Sequence, residues 1–201
     1  MKYLKEKRTT ELIVSKSKFI GVFIPINNET LIQDEITKIK KEYPKANHYV
    51  YASIIGDAGE YHNSSDDKEP SNTAGIPIMN VLKHQDVTNV LLVVIRYFGG
   101  IKLGVGGLSR AYSNVASTAV NESIYYLKKK VPTFKITFKY NLIDKLEHLL
   151  LNKTCIIDKN FNEECIYTLH LFETNILDTV DYLLTKKEYL GMTTLEIDLN
   201  K

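Results

Sequence analysis

The sequence predicts an α+β protein of two domains, on the basis of two observations. The chain changes character at residues 128–132, where three lysines end a helical pattern and a proline follows. Beyond that point, apolar residues at strand and helix spacing alternate in the order β-α-β-β-α-β, which is the ferredoxin-like order. The predicted domains are therefore residues 1–131 and 132–201.

The front domain is predicted as α+β from its own periodicity. A hairpin is expected over residues 10–14 and 19–26, a helix over 29–43, a strand over 47–55 and a long polar loop over 56–75. A helix over 77–83 and a strand over 89–95 follow, and this strand is expected to be central because it is the most apolar. After a glycine-rich stretch, a helix begins at Leu108 with an apolar stripe at i, i+3 and i+4 spacing.

The back domain gives the clearer pattern. Strands are predicted over residues 134–140, 154–158, 164–172 and 193–199, the middle two as a hairpin. Amphipathic helices are predicted over 142–151 and 176–184. Because ferredoxin-like modules serve many functions, this pattern alone indicates none of them.

Composition excludes several classes of protein. With 44% hydrophobic and 25% charged residues in 201, the chain has an ordinary globular composition. Its two cysteines, Cys155 and Cys165, form no CxxC motif, which argues against a zinc module or disulfide scaffold and fits a reducing compartment. The longest apolar run has six residues and the basic start has no apolar stretch behind it, so we expect a cytoplasmic protein with no membrane partner.

Charge is distributed unevenly between the two predicted domains. Residues 1–131 hold 18 Lys and Arg against 13 Asp and Glu, a balance of +5, and residues 132–201 hold 8 against 11, a balance of −3. A mildly basic front domain permits a nucleic-acid or phosphate partner without requiring one.

Residues 96–110 form the first candidate site, because five of the ten glycines fall within nine residues between a buried strand and a helix. Glycine lets backbone N–H groups approach a ligand, and a helix N-terminus attracts anions. Val105 stands where a Walker loop needs lysine, and Ser109 where a dinucleotide fingerprint needs glycine. The alternative is a tight strand-to-helix connection. The candidate contacts for an anion or nucleic acid are Arg96, Tyr97, Phe98, Gly99, Gly100, Lys102, Gly104, Gly106, Gly107 and Arg110.

Residues 66–75 form the second candidate, an acidic loop. Its carboxylates could hold Mg²⁺ or act as an acid or base. Alternatively, the loop could be an acidic turn that enters a helix, with Thr73 or Asn72 as the cap. Asp67 or Glu69 could also pair with Arg96 or Arg110 and hold the glycine segment. We predict no bound metal and no cofactor. The candidate residues are Asp66, Asp67, Glu69, Ser71 and Thr73.

His48 and Tyr51 are further possible contacts. A histidine beside a loop could be a base or ligand, but a half-buried histidine is the commoner case, and no spacing suggests a triad. Aromatic residues near these loops could stack bases, or could simply belong to the core. No catalytic residue is predicted.

Three segments, residues 48–56, 66–77 and 93–112, resemble the signature of the YigZ/IMPACT family in its bacterial two-domain form, most specifically at residues 96–104. The resemblance implies a front domain like the second domain of ribosomal protein S5, and a back domain like the C-terminal domain of elongation factor G. The family commonly has glycine at the positions of Lys68 and Asn72 and a small residue at Tyr49. Asn72 can still adopt a left-handed conformation, so the turn should be preserved.

The resemblance also implies a function. Eukaryotic relatives regulate translation under amino-acid stress through protein contacts, so we expect a cytoplasmic binding protein that regulates translation through RNA, ribosome or protein contacts of its front domain. The alternative is an enzyme or binding protein for a small phosphorylated or nucleotide ligand that uses the glycine-rich and acidic loops. A cleft of ~300–1,000 Å³ with converging polar groups would favour a small ligand, and a shallow basic or aromatic face would favour a macromolecule.

Overall fold

A computed structural model describes residues 1–199. The described residues form two compact units, Met1–Leu127 together with residues 198–199, and Lys128–Ile197. Each unit is a mixed α+β structure. The boundary lies four residues before the one predicted after Val131, and residues 128–130 belong to a strand, not to a helix end.

A five-stranded antiparallel sheet forms the centre of the first unit, in the order β2-β3-β7-β4-β5. The strands are β2 (Arg8–Val14), β3 (Ser17–Pro25), β4 (His48–Ile55), β5 (Tyr61–Ser65) and β7 (Val90–Tyr97). Strand β7 is central, as its apolar composition predicts, and residues 90–95 are fully removed from solvent. The two short strands β1 (Lys2–Leu4) and β6 (Val87–Thr88) pair with each other in parallel, and β1 also pairs with the start of β8 (Tyr125–Phe138).

Helices cover both faces of the five-stranded sheet. Helix α1 (Ile32–Glu42) packs on one face with the odd-numbered residues of β7, including Val93 and Ile95. Helices α2 (Gly75–His84) and α3 (Gly104–Asn121) pack on the other with Leu92 and Val94. Two opposite cores therefore fix the face to which each strand residue belongs.

The polar loop over residues 56–75 and the start of the helix after the glycine-rich stretch differ from the prediction. The polar loop predicted over residues 56–75 contains β5, whose polar residues pair with β4 at the edge of the sheet. Helix α3 begins at Gly104, four residues before Leu108. Gly106 and Gly107 lie inside this helix, whereas Gly104 itself has a φ of +69°. The low helix propensity of these glycines concealed the start of α3. The long helix that follows can extend backwards through them, because extending a helix costs less than nucleating one.

The second unit has the predicted β-α-β-β-α-β order. Its later elements are α4 (Ile143–Leu150), β9 (Thr154–Phe161), β10 (Cys165–Leu171), α5 (Ile176–Val180) and β11 (Lys186–Asp198). The sheet order β11-β8-β10-β9 is ferredoxin-like. Strand β11 begins seven residues earlier than predicted. Within residues 1–199, no helix is long and apolar enough to span a bilayer.

Candidate functional site

One row of side chains crosses the sheet beneath α3. Arg96 on β7 lies between Phe19 on β3 and His48 on β4 in the strand register. Because alternate residues of a strand point to opposite faces, these three lie on the α2 and α3 side, whereas Tyr97 lies on the α1 side. The sheet therefore brings a cation and an imidazole together on one face.

Glu69 meets this row from the acidic loop. Arg96 Nη1 donates to Glu69 Oε1 at 2.7 Å, and the hydroxyl of Tyr112 on α3 donates to the same oxygen at 2.7 Å. The side chains of Glu69 and Arg96 are only 3% and 5% exposed. This pairing, one of the possibilities drawn from the sequence, fixes the acidic loop to the sheet and to α3.

The Arg96 guanidinium is enclosed by aromatic rings. Its Cζ lies 5.3 Å from the ring centres of both Phe19 and Phe98, distances at which cation–π attraction operates. Nη2 lies 3.5 Å from Ser17 Oγ, and the buried Nε has no hydrogen-bond partner among residues 1–199. Arg96 is therefore a buried cation whose charge is paired with Glu69.

Tyr112 contributes a hydroxyl that stays protonated. Burial, and after it the charge of Glu69, raises the pKa of Tyr112 far above its ordinary value of 10.0. The hydroxyl is thus held as a donor to the carboxylate. Sequence reasoning assigned Tyr112 to the apolar stripe of α3 and missed its polar role, although a tyrosine among alanines and valines is itself a signal of one.

The other carboxylates of the acidic loop accept hydrogen bonds from backbone amides. Asp66 accepts from the amides of Asn72, Ala74 and Gly75 and so organises the entry to α2. The carboxylate of Asp67 accepts from the Tyr49 amide at 2.6 Å. Within the described part of the chain, no group of three or more His, Cys, Asp or Glu could hold a metal ion.

The predicted turn is present in the acidic loop. Lys68 and Asn72 have φ of +70° and +63°, at the two positions where glycine was expected. Thr73 does not cap α2, because its hydroxyl donates to the Pro70 carbonyl, and Ser71 is exposed. The side chain of Asp66, rather than Thr73 or Asn72, therefore meets the amides at the helix start.

The first part of the glycine segment is architectural. The amide of Phe98 donates to Asn47 Oδ1, and that of Gly99 donates to Ser17 Oγ at 3.2 Å. A Cβ at Gly99 would collide with the Lys16 carbonyl, whereas Gly100, at φ +86°, faces open space. Anion-binding capacity therefore lies further along, at the start of α3.

The first turn of α3 is open. No side chain caps it at Leu103, and Gly104, Val105 and Gly106 are exposed. Exposed Lys102 precedes it. The free amides of a helix start carry partial positive charge and attract anions.

The aromatic and basic residues predicted as contacts do not all lie at one place on the surface. The Tyr97 hydroxyl donates to the Pro44 carbonyl, and Tyr51 packs on the α1 side, so neither accompanies Phe98. Arg110 is exposed and lines a neighbouring depression that it shares with Lys102. The proposed stacking surface of several aromatics is thus absent from the described face around Phe98.

A pocket of about 420 Å³ opens where these elements meet. Its floor holds the polar groups of Arg96, Glu69 and His48, and its size falls in the range of small-molecule sites. The pocket opens broadly to solvent, because Phe98, Lys102 and Val105 of its lining are exposed. Its lining residues are His48, Glu69, Pro70, Arg96, Phe98, Lys102, Leu103, Gly104, Val105 and Leu108.

Residues 15–120, which contain every residue of this pocket, match the family model described as the Impact N-terminal domain. The chain belongs to the IMPACT family. It is 37% identical over 147 residues to the IMPACT family member YvyE of Bacillus subtilis. The matched residues make up 73% of this chain and 68% of that protein. It is 30% identical over 139 residues to the IMPACT family member YigZ of Escherichia coli, which covers 68% of each chain.

The fold of this IMPACT family member also has a solved counterpart. A crystal structure of a hypothetical protein matches 100% of this chain and 97% of its own, with a TM-score of 0.61 and 23% sequence identity. The likeness therefore extends over both units, and at that identity it concerns the fold alone. The matched IMPACT domain ends at residue 120, so the second unit lies outside it.

Proposed function

We propose that this protein is a binding protein that regulates translation, and that its IMPACT domain holds a protein partner through the surface around the pocket. The observation that carries the proposal is a group of exposed apolar side chains at this place. Phe98, Ile101 and Val105 are 43%, 44% and 66% exposed, and Lys102 lies among them in sequence. Apolar patches with a polar border are typical of protein-binding surfaces.

Charge favours an acidic partner segment. Lys68, Lys102 and Arg110 are exposed on the loops and helix that surround the pocket, and residues 1–131 carry a balance of +5. Complementary charge would speed association and favour acidic segments over basic ones. We therefore infer a partner that presents an apolar side chain flanked by carboxylates.

RNA fits this surface less well than protein. Single-stranded RNA is bound without sequence preference on several aromatic rings beside a cationic groove. Here Tyr97 and Tyr51 pack on the α1 side, which leaves Phe98 as the exposed ring beside the pocket. The link to translation rests on family membership, since the eukaryotic proteins that the signature resembles act on translation through protein contacts.

A translation assay tests this proposal. The purified protein is added to a reconstituted bacterial translation mixture, and synthesis of a reporter is followed with time. We expect a concentration-dependent change in synthesis that Val105→Asp and Ile101→Asp both abolish. The matched control is Leu31→Asp, which places the same charge on a side chain of similar exposure (43%) before α1.

Two outcomes would overturn the proposal. The first is a reporter output that the wild-type protein leaves unchanged over the whole concentration range. The second is an effect that Leu31→Asp abolishes as fully as Val105→Asp. Binding to labelled single-stranded RNA that weakens steeply with salt and requires Lys102 would replace the protein partner with RNA, because phosphate contacts release counterions.

A further inference from the structure

Two side-chain atoms that can accept hydrogen bonds, His48 Nε2 and Glu69 Oε1, lie close together in the lining of the pocket. His48 Nδ1 lies 2.8 Å from the carbonyl oxygen of Asp67. A carbonyl only accepts, so Nδ1 carries a proton, and in the neutral form of the ring Nε2 is an acceptor. Nε2 lies 3.8 Å from Glu69 Oε1, too far for a direct hydrogen bond.

Glu69 keeps further accepting capacity. Both hydrogen bonds that it receives from described residues, from Arg96 and from Tyr112, go to Oε1. A carboxylate has about four lone-pair sites, and Glu69 lines the pocket. The floor therefore suits a group that donates several hydrogen bonds, such as an ammonium group.

The mouth of the pocket has the opposite character. The first turn of α3, an 18-residue helix, has no side-chain cap, and Gly104 and Val105 of this turn line the pocket together with Lys102. These groups favour an anion. Arg96 lines the same pocket, and although its Nη1 pairs with Glu69, its Nε has no hydrogen-bond partner among residues 1–199.

The wall between floor and mouth is apolar. It is made of Phe98, Leu103, Val105 and Leu108. A ligand that fits all three parts has an ammonium group, an anionic group and an apolar side chain, each directed to a different part of the lining. A phosphate ion would match the mouth but would bring a second negative charge against the carboxylate of Glu69.

We propose that the pocket binds a free α-amino acid with an apolar side chain. The ammonium group donates to Glu69 and to His48 Nε2, and the carboxylate accepts from the first amides of α3 and from Lys102. The apolar side chain packs on Phe98 and Leu103. This site goes beyond the proposed docking surface and does not depend on it.

Calorimetry with the full-length protein tests the ligand. The probes are leucine, methionine and phenylalanine, with N-acetyl-leucine to remove the ammonium charge, leucinamide to remove the carboxylate, and inorganic phosphate. We expect at least one free amino acid to bind, and each leucine derivative to bind at least tenfold more weakly than leucine. Binding of none of the three amino acids, equal binding of N-acetyl-leucine, or tighter binding of phosphate would each overturn the proposal.

Variants assign binding to this pocket. Val105→Asp places a carboxylate in the first turn of α3, where it favours the helix and competes with the ligand carboxylate. His48→Phe removes one floor acceptor. We expect at least tenfold weaker binding in both, with an unchanged circular dichroism spectrum, and unchanged binding in Lys40→Gln, which removes an exposed lysine from α1.

Wild-type affinity in both Val105→Asp and His48→Phe would place the ligand elsewhere and overturn the assignment. The experiment uses purified protein without translation components. A protein that binds leucine and leaves translation unchanged would therefore overturn the proposed function alone, and the reverse result would overturn the amino-acid site alone.

Discussion

Glu69 and Arg96 form an ion pair that is almost fully removed from water, with Oε1 of one side chain 2.7 Å from Nη1 of the other. The two residues are 27 positions apart, on the acidic loop and the central strand. A buried ion pair gains little over an apolar pair, because desolvation offsets most of the attraction, but removing one partner leaves a buried charge uncompensated. The pair therefore holds the loop in one position over the sheet.

The first prediction concerns this pair. Glu69→Ala should lower the free energy of unfolding by about 3–5 kcal/mol, because it strands the Arg96 charge and the Tyr112 hydroxyl. The double variant Glu69→Ala with Arg96→Met should lose less than the sum of the two single variants. Urea unfolding of all four proteins measures the coupling.

An exposed ion pair provides the control for that cycle. Arg8 and Glu122 are joined at 2.7 Å, with side chains about half exposed. Because solvent screens such pairs, Glu122→Ala should cost less than about 1 kcal/mol. A cost at Glu69 no larger than the cost at Glu122 would contradict the structural role of the buried pair.

The second prediction separates two glycines of the glycine-rich segment. Gly99→Ala should destabilise the protein by about 2 kcal/mol or more, because the new Cβ collides with the Lys16 backbone. Gly106→Ala should stabilise it by roughly 0.5–1 kcal/mol, since this residue is helical and its Cβ would meet only the end of Arg110, at 3.6 Å. Thermal unfolding of the two variants provides the comparison. Equal effects of the same sign would contradict the helical start at Gly104.

What the sequence could predict was set by local patterns. The central position of β7 and the order of the second unit follow from apolar periodicity, which neighbouring residues define. Strand β5 has no such pattern, because polar edge residues are held by pairing with β4, which is remote in sequence. The start of α3 was hidden for a related reason, since glycines with poor helix propensity form its first turn.

The candidate site could likewise be predicted only in part from local patterns. Its segments were found from composition, because glycines and carboxylates are concentrated there. Which cation is buried was not predictable, since the burial of Arg96 depends on pairing with Glu69 from another segment. Because successive side chains of β7 point to opposite faces of the sheet, Tyr97 and Arg96 lie on different faces although they are neighbours in sequence.

The third prediction concerns backbone strain in the acidic loop. Lys68 has φ +70°, a conformation that costs a side-chain-bearing residue roughly 1–2 kcal/mol. Lys68→Gly should therefore raise the free energy of unfolding by about 0.5–1 kcal/mol after the added flexibility of the unfolded chain is deducted. The matched control Lys40→Gly, within α1, should lower it by about 1 kcal/mol. Destabilisation by both changes would show that the Lys68 side chain has a role beyond the turn.

The fourth prediction concerns alkaline pH. Burial, and after it the charge of Glu69, raises the pKa of Tyr112 above the ordinary value of 10.0, and burial raises the pKa of Tyr125 to about 12. Because the pKa of each tyrosine is higher in the folded state than in the unfolded chain, its protonated hydroxyl stabilises the fold. That stabilisation is fully present below pH 10 and is lost as the pH rises from 10 through the folded-state pKa. Urea midpoints should therefore be flat from neutral pH to about 9 and should fall above 10.

Tyr112→Phe identifies the tyrosine responsible for part of that fall. At neutral pH it should cost about 1–2 kcal/mol, because Glu69 loses a buried donor. Phenylalanine has no proton to lose, so the difference between the variant and the wild-type protein should narrow as the pH rises above 10. Urea unfolding across this pH range, with tyrosinate absorbance to follow ionisation, gives the result. A difference that stays constant through pH 11 would mean that Tyr112 ionises in the folded state as easily as in the unfolded chain, and that its hydroxyl is not held by Glu69.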